Sequence, residues 1–387
     1  MTSYDAVCLL SFGGPEGPDD VLPFLRNVTA GRNVPDERLA EVAEQYELFG
    51  GRSPINDQNR ALIDALRAEF DANGIDLPIY FGNRNWEPYL ADTVREMADA
   101  GVSNALVLAT SAFSSYSGCR QYREDLASAS EAVGEGAPSL EKLRLYYTHP
   151  GFIDAVVSRI GEVHQPGARL VFTAHSIPVS MSQWCEYEPQ LNEMAALVAA
   201  RVGSEFDEID GEAPVAWDLC FQSRSGPPQI PWLEPDVNDH LEALAADGVA
   251  AVTLVPLGFV SDHMEVAVDL DLQPRHPADR VGTSLRRAPT VGTHPAFVAG
   301  LRELVQEKTD GAEVRWVGDA GPWPDPCPDG HCLAPNGTPT GRPPGAGPGR
   351  PGGPPASRPT GAPEGRPGGT PDGSGPGGTP ASGRPGS

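Results

Sequence analysis

The 387-residue sequence predicts an α/β protein built from two copies of one open, parallel-sheet domain, followed by a terminal stretch unable to fold. Three observations carry that prediction. Short apolar runs alternate with segments of helical periodicity, the pattern of strand–helix–strand units. Two pairs of segments recur: Cys8-Leu-Leu-Ser-Phe-Gly-Gly-Pro15 resembles Val171-Phe-Thr-Ala-His-Ser-Ile-Pro178, and 98–102 with 105–110 resembles 245–249 with 252–257. From Pro335 onward there are 17 Gly and 15 Pro in 53 residues and no large apolar side chain. Such a stretch cannot bury enough surface to offset the entropy of ordering, and its glycines lack the strict period of collagen.

Taken in order, 6–12 reads as a strand, the region near 19–27 as a helix and 54–73 as a longer helix. A strand over 79–82, a helix over 89–100 and a strand over 105–110 follow, and the second half repeats the scheme. The expected organisation is a first lobe over 1–150 and a second over 151–318 with a closing helix at about 295–309. A Cys-containing segment over 319–334 and a disordered Gly/Pro-rich tail over 335–387 complete it. In open parallel sheets ligands bind beyond the carboxyl ends of the strands. The loops beginning near Phe12, Ser111, His175 and Phe259 should therefore face a cleft between the lobes.

Residues 1–334 hold 23 basic and 51 acidic side chains. That surplus repels phosphate backbones and anionic lipid, which excludes nucleic-acid and membrane-surface roles and favours cations as visitors. The N-terminus lacks a basic signal region, its apolar run is short, and no later stretch is long enough to span a bilayer. We therefore expect no stable membrane insertion and a cytoplasmic location, where six cysteines serve as thiols or metal ligands rather than disulfides.

His175 directly follows an apolar strand, where it reads either as a base or metal ligand or as a loop histidine bonded to backbone. If the chain turns helical after Ser261, then Asp262, Glu265 and Asp269 share one face. Carboxylates so packed attract a divalent cation, though an acidic protein also places solvated carboxylates this way. His263 between them reads as a capping or core residue. The glycine loops at 11–17 and 48–54 contain neither GxGxxG nor GxxxxGK[ST], so they speak against nucleotide binding and for close backbone approach to a large flat ligand. The loop 114–123 suits carboxylate anchoring, with Arg120 and Arg123 as anchors or as plain surface charges. Cys119, Cys327 and Cys332 lie outside the apolar strands, and the bent stretch 325–332 suits a metal site or cluster better than a core.

Taken together, LLSFGGPEGPDDVLPFLRNV, YELFGGRSPIN, FGNRNWEP, SSYSGCRQYRED, TAHSIP, CFQSRSGPPQIPWLEPDV and PLGFVSDHMEVAVDLD resemble, in order, the motifs of the ferrochelatase family, enzymes that insert Fe(II) into a porphyrin. The resemblance implies two Rossmann-like, chelatase-type lobes with the porphyrin between them. It implies His175 as the essential histidine, binding iron or accepting pyrrole protons, and Glu265 as its acidic partner. Asp269 and Asp271 then look like outer carboxylates that hand iron inward. Ser53 and Tyr122 match porphyrin-contacting positions, and Tyr46 lies beside Gln45, where some members carry a propionate-binding arginine absent here. Phe12 stands where some soluble relatives have an iron-ligating tyrosine, so it is expected to pack on the macrocycle without ligating metal.

By the same resemblance, Cys119, Cys327 and Cys332 match three of four cysteines holding a two-iron, two-sulfur cluster, and the fourth falls on Asp325. Asp325 itself, His331 in its place, or a clusterless remnant are the open readings. The expected activity is that of a coproporphyrin III ferrochelatase, with Fe(II) as substrate and the downstream decarboxylase of the haem pathway as a transient partner. A protoporphyrin IX ferrochelatase and a non-catalytic tetrapyrrole or metal carrier are the alternatives.

Overall fold

The computed structural model describes residues 3–31, 34–207, 215–226, 228–273, 283–328 and 330–336. The tail expected over 335–387 lies outside the described residues beyond 336. The first half runs β1 (Ala6–Ser11), α1 (Pro18–Val28), α2 (Asp36–Glu47), α3 (Ile55–Ala72), β2 (Ile79–Asn83), α4 (Leu90–Asp99) and β3 (Asn104–Ala109). A π-helical turn (Tyr116–Arg120) then leads into α5 (Gln121–Val133) and β4 (Ser139–Lys142). The second half runs α6 (Pro150–Gly161), β5 (Arg169–His175), α7 (Val179–Ser182), α8 (Tyr187–Phe206), β6 (Trp217–Gln222), α9 (Val237–Ala246) and β7 (Ala251–Val255). After it come the short α10 (Met264–Val266), a π-helical turn (Ala267–Leu272), β8 (Ser284–Arg287) and α11 (Pro295–Thr309).

The strands form two four-stranded parallel sheets, ordered β2-β1-β3-β4 and β6-β5-β7-β8. The two orders are the same once β5 to β8 are matched to β1 to β4, so the sequence repeat is realised as a repeat of topology. All six residues of β1 are buried, a continuous apolar run rather than an alternation, because helices cover both faces of a parallel sheet. Helix α3 buries Ile55, Leu62, Ile63, Leu66 and Phe70, the stripe that a period of 3.6 directs onto a sheet. In each sheet the strand order reverses at the first strand, so the carboxyl ends of β1 and β3, and of β5 and β7, diverge at a switch point.

One apolar core passes through both halves, joining Leu9, Leu108 and Phe113 to Phe152, Phe172 and Phe297. Phe152 and Phe297 pack with ring centroids 5.5 Å apart, and removing either ring costs about 3–5 kcal/mol by the usual scale for core truncation. Helix α11 packs on α6 and also on α3. Arg302 of α11 binds Glu69 at 2.8 Å, Lys308 binds Glu141 at 2.7 Å, and Glu307 takes a bidentate pair of bonds from Arg144. The closing helix is thus fastened to residues of the first 150 as well as to the second half. Among the described residues no helix is long and apolar enough to cross a membrane.

Candidate active site and cysteine centre

His175 is the last residue of β5, and the loop after β7 is laid against it. Gly258 donates its N–H to Thr173 O at 3.0 Å, and a Cβ on Gly258 would meet the Ala174 Cβ at 2.8 Å. Only glycine permits that approach, which brings 259–265 beside the histidine. His175 Nδ1 sits 2.5 Å from Ser176 O, which assigns the proton to Nδ1 and leaves Nε2 facing Glu265 Oε2 at 3.5 Å.

Burial pulls the His175 pKa down, but the Glu265 charge and hydrogen bond, the Ser176 carbonyl and Asp269 outweigh it and raise the imidazole above its ordinary value. Burial works against ionisation of Glu265, yet His175 and then His263 hold it down to about 2. His175 keeps 32% and Glu265 49% of its side-chain surface open, so water screens the pair. His263 lies edge-on to Phe259 at 4.7 Å, with Nδ1 4.0 Å from Glu265 Oε2, and burial first lowers its pKa. The Glu265 carboxylate therefore stands between two imidazoles.

The expected helical face of Asp262, Glu265 and Asp269 takes another form, because the turn after Val266 is π-helical. Asp269 accepts a hydrogen bond from the Ser223 hydroxyl, and burial followed by the Glu265 charge raises it to about 6. Ser223 holds this position with φ +61°, in the left-handed region that non-glycine residues rarely enter. Asp271 is bound bidentately by Arg287, Nε to Oδ1 at 2.5 Å and Nη2 to Oδ2 at 3.0 Å. The same guanidinium takes Asp262 Oδ1 at 3.2 Å. The outer carboxylate expected at Asp271 is thus already occupied by a cation of the chain itself. Nothing in the sequence signalled Arg287, because its partners become its neighbours only when β8 joins β7.

From the first half, Phe12 follows β1 as His175 ends β5. It stays 39% exposed, packs edge-on to Phe24 at 6.3 Å, and lies 5.8 Å from the Arg84 guanidinium. Tyr46 on α2 packs against Phe24, and burial followed by the Glu265 charge pushes its phenol pKa up, so the two halves bring Tyr46 and Glu265 into one electrostatic neighbourhood. Gln58 Oε1 of α3 accepts the Asp262 N–H at 2.8 Å, a second tie between the halves that the sequence reading missed.

Two expected porphyrin contacts are less accessible. Ser53 is buried beneath Gly14, where a Cβ would lie 2.7 Å from the Ser53 Cβ. Tyr122 is 4% exposed, with the Arg84 guanidinium 4.5 Å above its ring. Arg84 is itself held by Asp125 at 2.6 Å and by Ser117 O at 3.0 Å. Tyr122 therefore supports the Arg84 floor beside Phe12 rather than opening onto a cleft.

Cys119 sits on the π-helical turn after β3, and Cys327 and Cys332 lie on the segment after α11, which Lys308 ties to β4 by pairing with both Asp325 and Glu141. Hydrogen bonds from Cys327 and then Cys332 hold the Cys119 thiol pKa well below its ordinary value, and the hydrogen bonds to Cys119 and then Cys327, followed by burial, push Cys332 up. Arg120 Nη1 donates to His331 O at 3.1 Å and Arg123 Nη1 to Cys327 O at 3.5 Å, so the two arginines clamp this segment instead of awaiting a carboxylate ligand. Asp325, the expected fourth ligand, is paired with Lys308 at 2.8 Å. Among the described residues no group of three His, Cys, Asp or Glu side chains already has the geometry of a metal site. A two-iron, two-sulfur cluster needs four protein donors. Cys119, Cys327 and Cys332 are close enough to shift one another's ionisation, which makes three of the four donors such a cluster takes.

Two parallel α/β halves of one topology, joined by a common core and carrying an imidazole–carboxylate pair at a strand end, define a two-lobed α/β protein whose site can bind a cation and move a proton. Residues 4–309 match the family model described as ferrochelatase. The chain is 52% identical to a ferrochelatase of Rhodopirellula baltica over 341 residues, covering 86% of this chain and 94% of the relative. It is 53% identical to a coproporphyrin III ferrochelatase of Frankia alni, covering 87% and 88%, and 52% identical to one of Mycobacterium ulcerans, covering 87% and 99%. The chain belongs to the ferrochelatase family.

Proposed function

We propose that the protein inserts Fe(II) into coproporphyrin III, giving Fe–coproporphyrin III for haem biosynthesis. The observation that carries this reading is the His175–Glu265 pair at 3.5 Å. The porphyrin is taken from relatives at about half identity that are named for coproporphyrin III. Fe(II) is the second substrate.

Metallation exchanges two pyrrole N–H protons for one divalent cation, so the site must accept protons near neutral pH and bind a hydrated cation. With Nδ1–H donated to Ser176 O, deprotonated Nε2 of His175 offers its lone pair to the cation or to a pyrrole proton. Glu265 remains ionised through the physiological range and balances charge at either partner. Asp269, raised to about 6, exchanges a proton with solvent near neutrality. Phe12 packs on the macrocycle and leaves the metal without a protein hydroxyl from its side. Tyr46 contributes to the porphyrin-binding wall, and Ser53 and Tyr122 act there by shaping the loops around them.

We further infer that Cys119, Cys327 and Cys332 hold a two-iron, two-sulfur cluster, which supplies one-electron redox chemistry or rigidity when bound. The protein acts in the cytoplasm and hands its product to the decarboxylase that completes haem.

Anaerobic Fe(II) insertion by the purified protein, comparing coproporphyrin III with protoporphyrin IX, tests the reading. Preference for coproporphyrin III is expected. Equal or reversed preference assigns the protein to protoporphyrin IX, and no turnover with either makes it a carrier.

A further inference from the structure

We propose that the Gln222 carboxamide, with the Thr173 hydroxyl beside it, receives water ligands of the Fe(II) ion as that ion arrives on His175. Gln222 is then a substrate-contacting residue for the metal. The proposal rests on the metallation reading above and goes beyond it by naming the groups that take hold of the cation's own water.

Strand register places the group. Gln222 ends β6 directly opposite His175, the last residue of β5, and neighbouring strands lie about 4.8 Å apart. Side chains alternate along each strand, and the two faces are identified by their cores. Phe172, Ala174 and Phe221 enter the large core on one face, whereas Val171 and Cys220 enter the other together with Val266 and Leu270. Thr173, His175 and Gln222 therefore share the face of Val171 and Cys220, beneath α10 and the π-helical turn that carry Glu265 and Asp269. The backbone there is fixed on both sides. Ser176 donates its N–H to Gln222 O at 2.8 Å, and Ser223, the next residue, takes φ +61° and gives its hydroxyl to Asp269. The Gln222 side chain thus leaves the sheet beside the imidazole of His175 and one residue before the Ser223–Asp269 bond.

Gln222 is 1% and Thr173 0% exposed, yet Oε1 and Nε2 of the glutamine and Oγ1 of the threonine have no hydrogen-bond partner among the described residues. Buried polar atoms are rarely left so, because each unsatisfied group costs stability. An apolar side chain would fill either position without that cost, as Val171 does two residues earlier on the same face. Three such atoms beside a reacting imidazole are accounted for by a ligand that pairs them.

The chemistry selects the ligand. A divalent cation on His175 Nε2 carries its remaining water molecules about 2 Å further out. Water polarised by a metal is a strong hydrogen-bond donor. Glu265 balances the charge of the ion, while an amide oxygen and a hydroxyl accept from its water without adding charge. They orient the hydrated ion and do not retain it once porphyrin nitrogens replace the water.

The test reads cation binding without turnover. Fe(II) is titrated anaerobically into the full-length protein by calorimetry, and the binding event lost in His175→Ala defines the site. In Gln222→Leu the dissociation constant of that event should rise about tenfold or more, the loss expected for a hydrogen bond to a charged donor. Affinity for coproporphyrin III, read by fluorescence quenching, should stay unchanged, and so should the unfolding temperature. Thr173→Val should weaken Fe(II) in the same direction. Gln222→Glu keeps the acceptor and adds charge, so it should tighten Fe(II) binding while lowering kcat.

Unchanged Fe(II) binding in Gln222→Leu overturns the proposal, and unchanged binding in Thr173→Val removes the hydroxyl from it. Parallel loss of iron and porphyrin affinity with a lowered unfolding temperature also overturns it, because that marks a structural glutamine. So does a wild type that binds no Fe(II) at a His175-dependent site. A wild type that binds Fe(II) there but metallates no porphyrin removes the proposed function, and the titrations still decide the contact. If Gln222→Leu does not fold, Gln222→Met, with a side chain of nearly the same length, carries the same comparison.

Discussion

Arg287 and Asp271 form a bidentate ion pair, at 2.5 and 3.0 Å, within the acidic region that also contains Glu265. The pair divides that region in two. Asp271 and Asp262 share one guanidinium, whereas Glu265 and Asp269 remain with the imidazole of His175.

A first prediction concerns that division. Asp269→Asn should raise the KM for Fe(II), by roughly tenfold if the carboxylate supplies a typical charge-assisted contact. Asp271→Asn should change turnover by about threefold or less, its effect falling on stability. Steady-state kinetics at varied Fe(II) separates them, and an equal loss in both variants would show that Asp271 leaves Arg287 during turnover.

The pH dependence follows from the His175–Glu265 pair. His175 has a raised pKa, so its share of the pairing is complete below the ordinary imidazole value and fades as pH climbs through the raised one. The Glu265 share is present above the ordinary carboxylate value and is lost as pH falls toward about 2. Insertion needs the deprotonated imidazole, so the rate should rise with pH through the raised His175 pKa. Glu265→Gln removes the main stabiliser of the imidazolium, which should move that limb to lower pH while turnover falls about a hundredfold or more. A limb that stays in place would mean that another group sets it.

Glu307→Ala tests how the closing helix is fastened. Arg144 and Glu307 keep only 3% and 7% of their side-chain surface, so deleting the carboxylate strands a buried guanidinium, at a cost of about 3–5 kcal/mol. The unfolding temperature should fall by roughly 10 °C. A shift of a degree or two would show that water reaches Arg144.

Phe12→Tyr places a hydroxyl at the strand end that matches His175, on a side chain already 39% exposed. The iron-porphyrin product bound to this variant should show a changed visible and EPR spectrum relative to wild type. An identical spectrum would mean that the ring is held against Phe24 and out of reach of the metal.

Much of this protein was legible before its fold was known. The likeness of 8–15 to 171–178 announced two equivalent strand ends, and the matching sheet orders are its three-dimensional form. Strands and helices were readable because their periods are local: β1 is apolar throughout and α3 carries a stripe every three or four residues. His175 and Glu265 stood out because their motifs are contiguous. Helix α2, with Leu39 its one fully buried side chain, passed unnoticed because its apolar stripe is thin.

What tertiary structure alone decided was the partner of each charge and thiol. Asp271 looked like a metal carboxylate until β8 delivered Arg287, and Asp325 looked like a cluster ligand until α11 delivered Lys308. Tyr122, expected at the porphyrin, has the Arg84 guanidinium over its ring, and Cys119 meets Cys327 and Cys332 only because the chain returns to β4, where Lys308 holds both Glu141 and Asp325. Periodicity and motif are short-range and survive in a linear text. An ion pair or a thiol cluster depends on which of many like residues the packed backbone brings within a few ångströms, and that is a property of the folded chain.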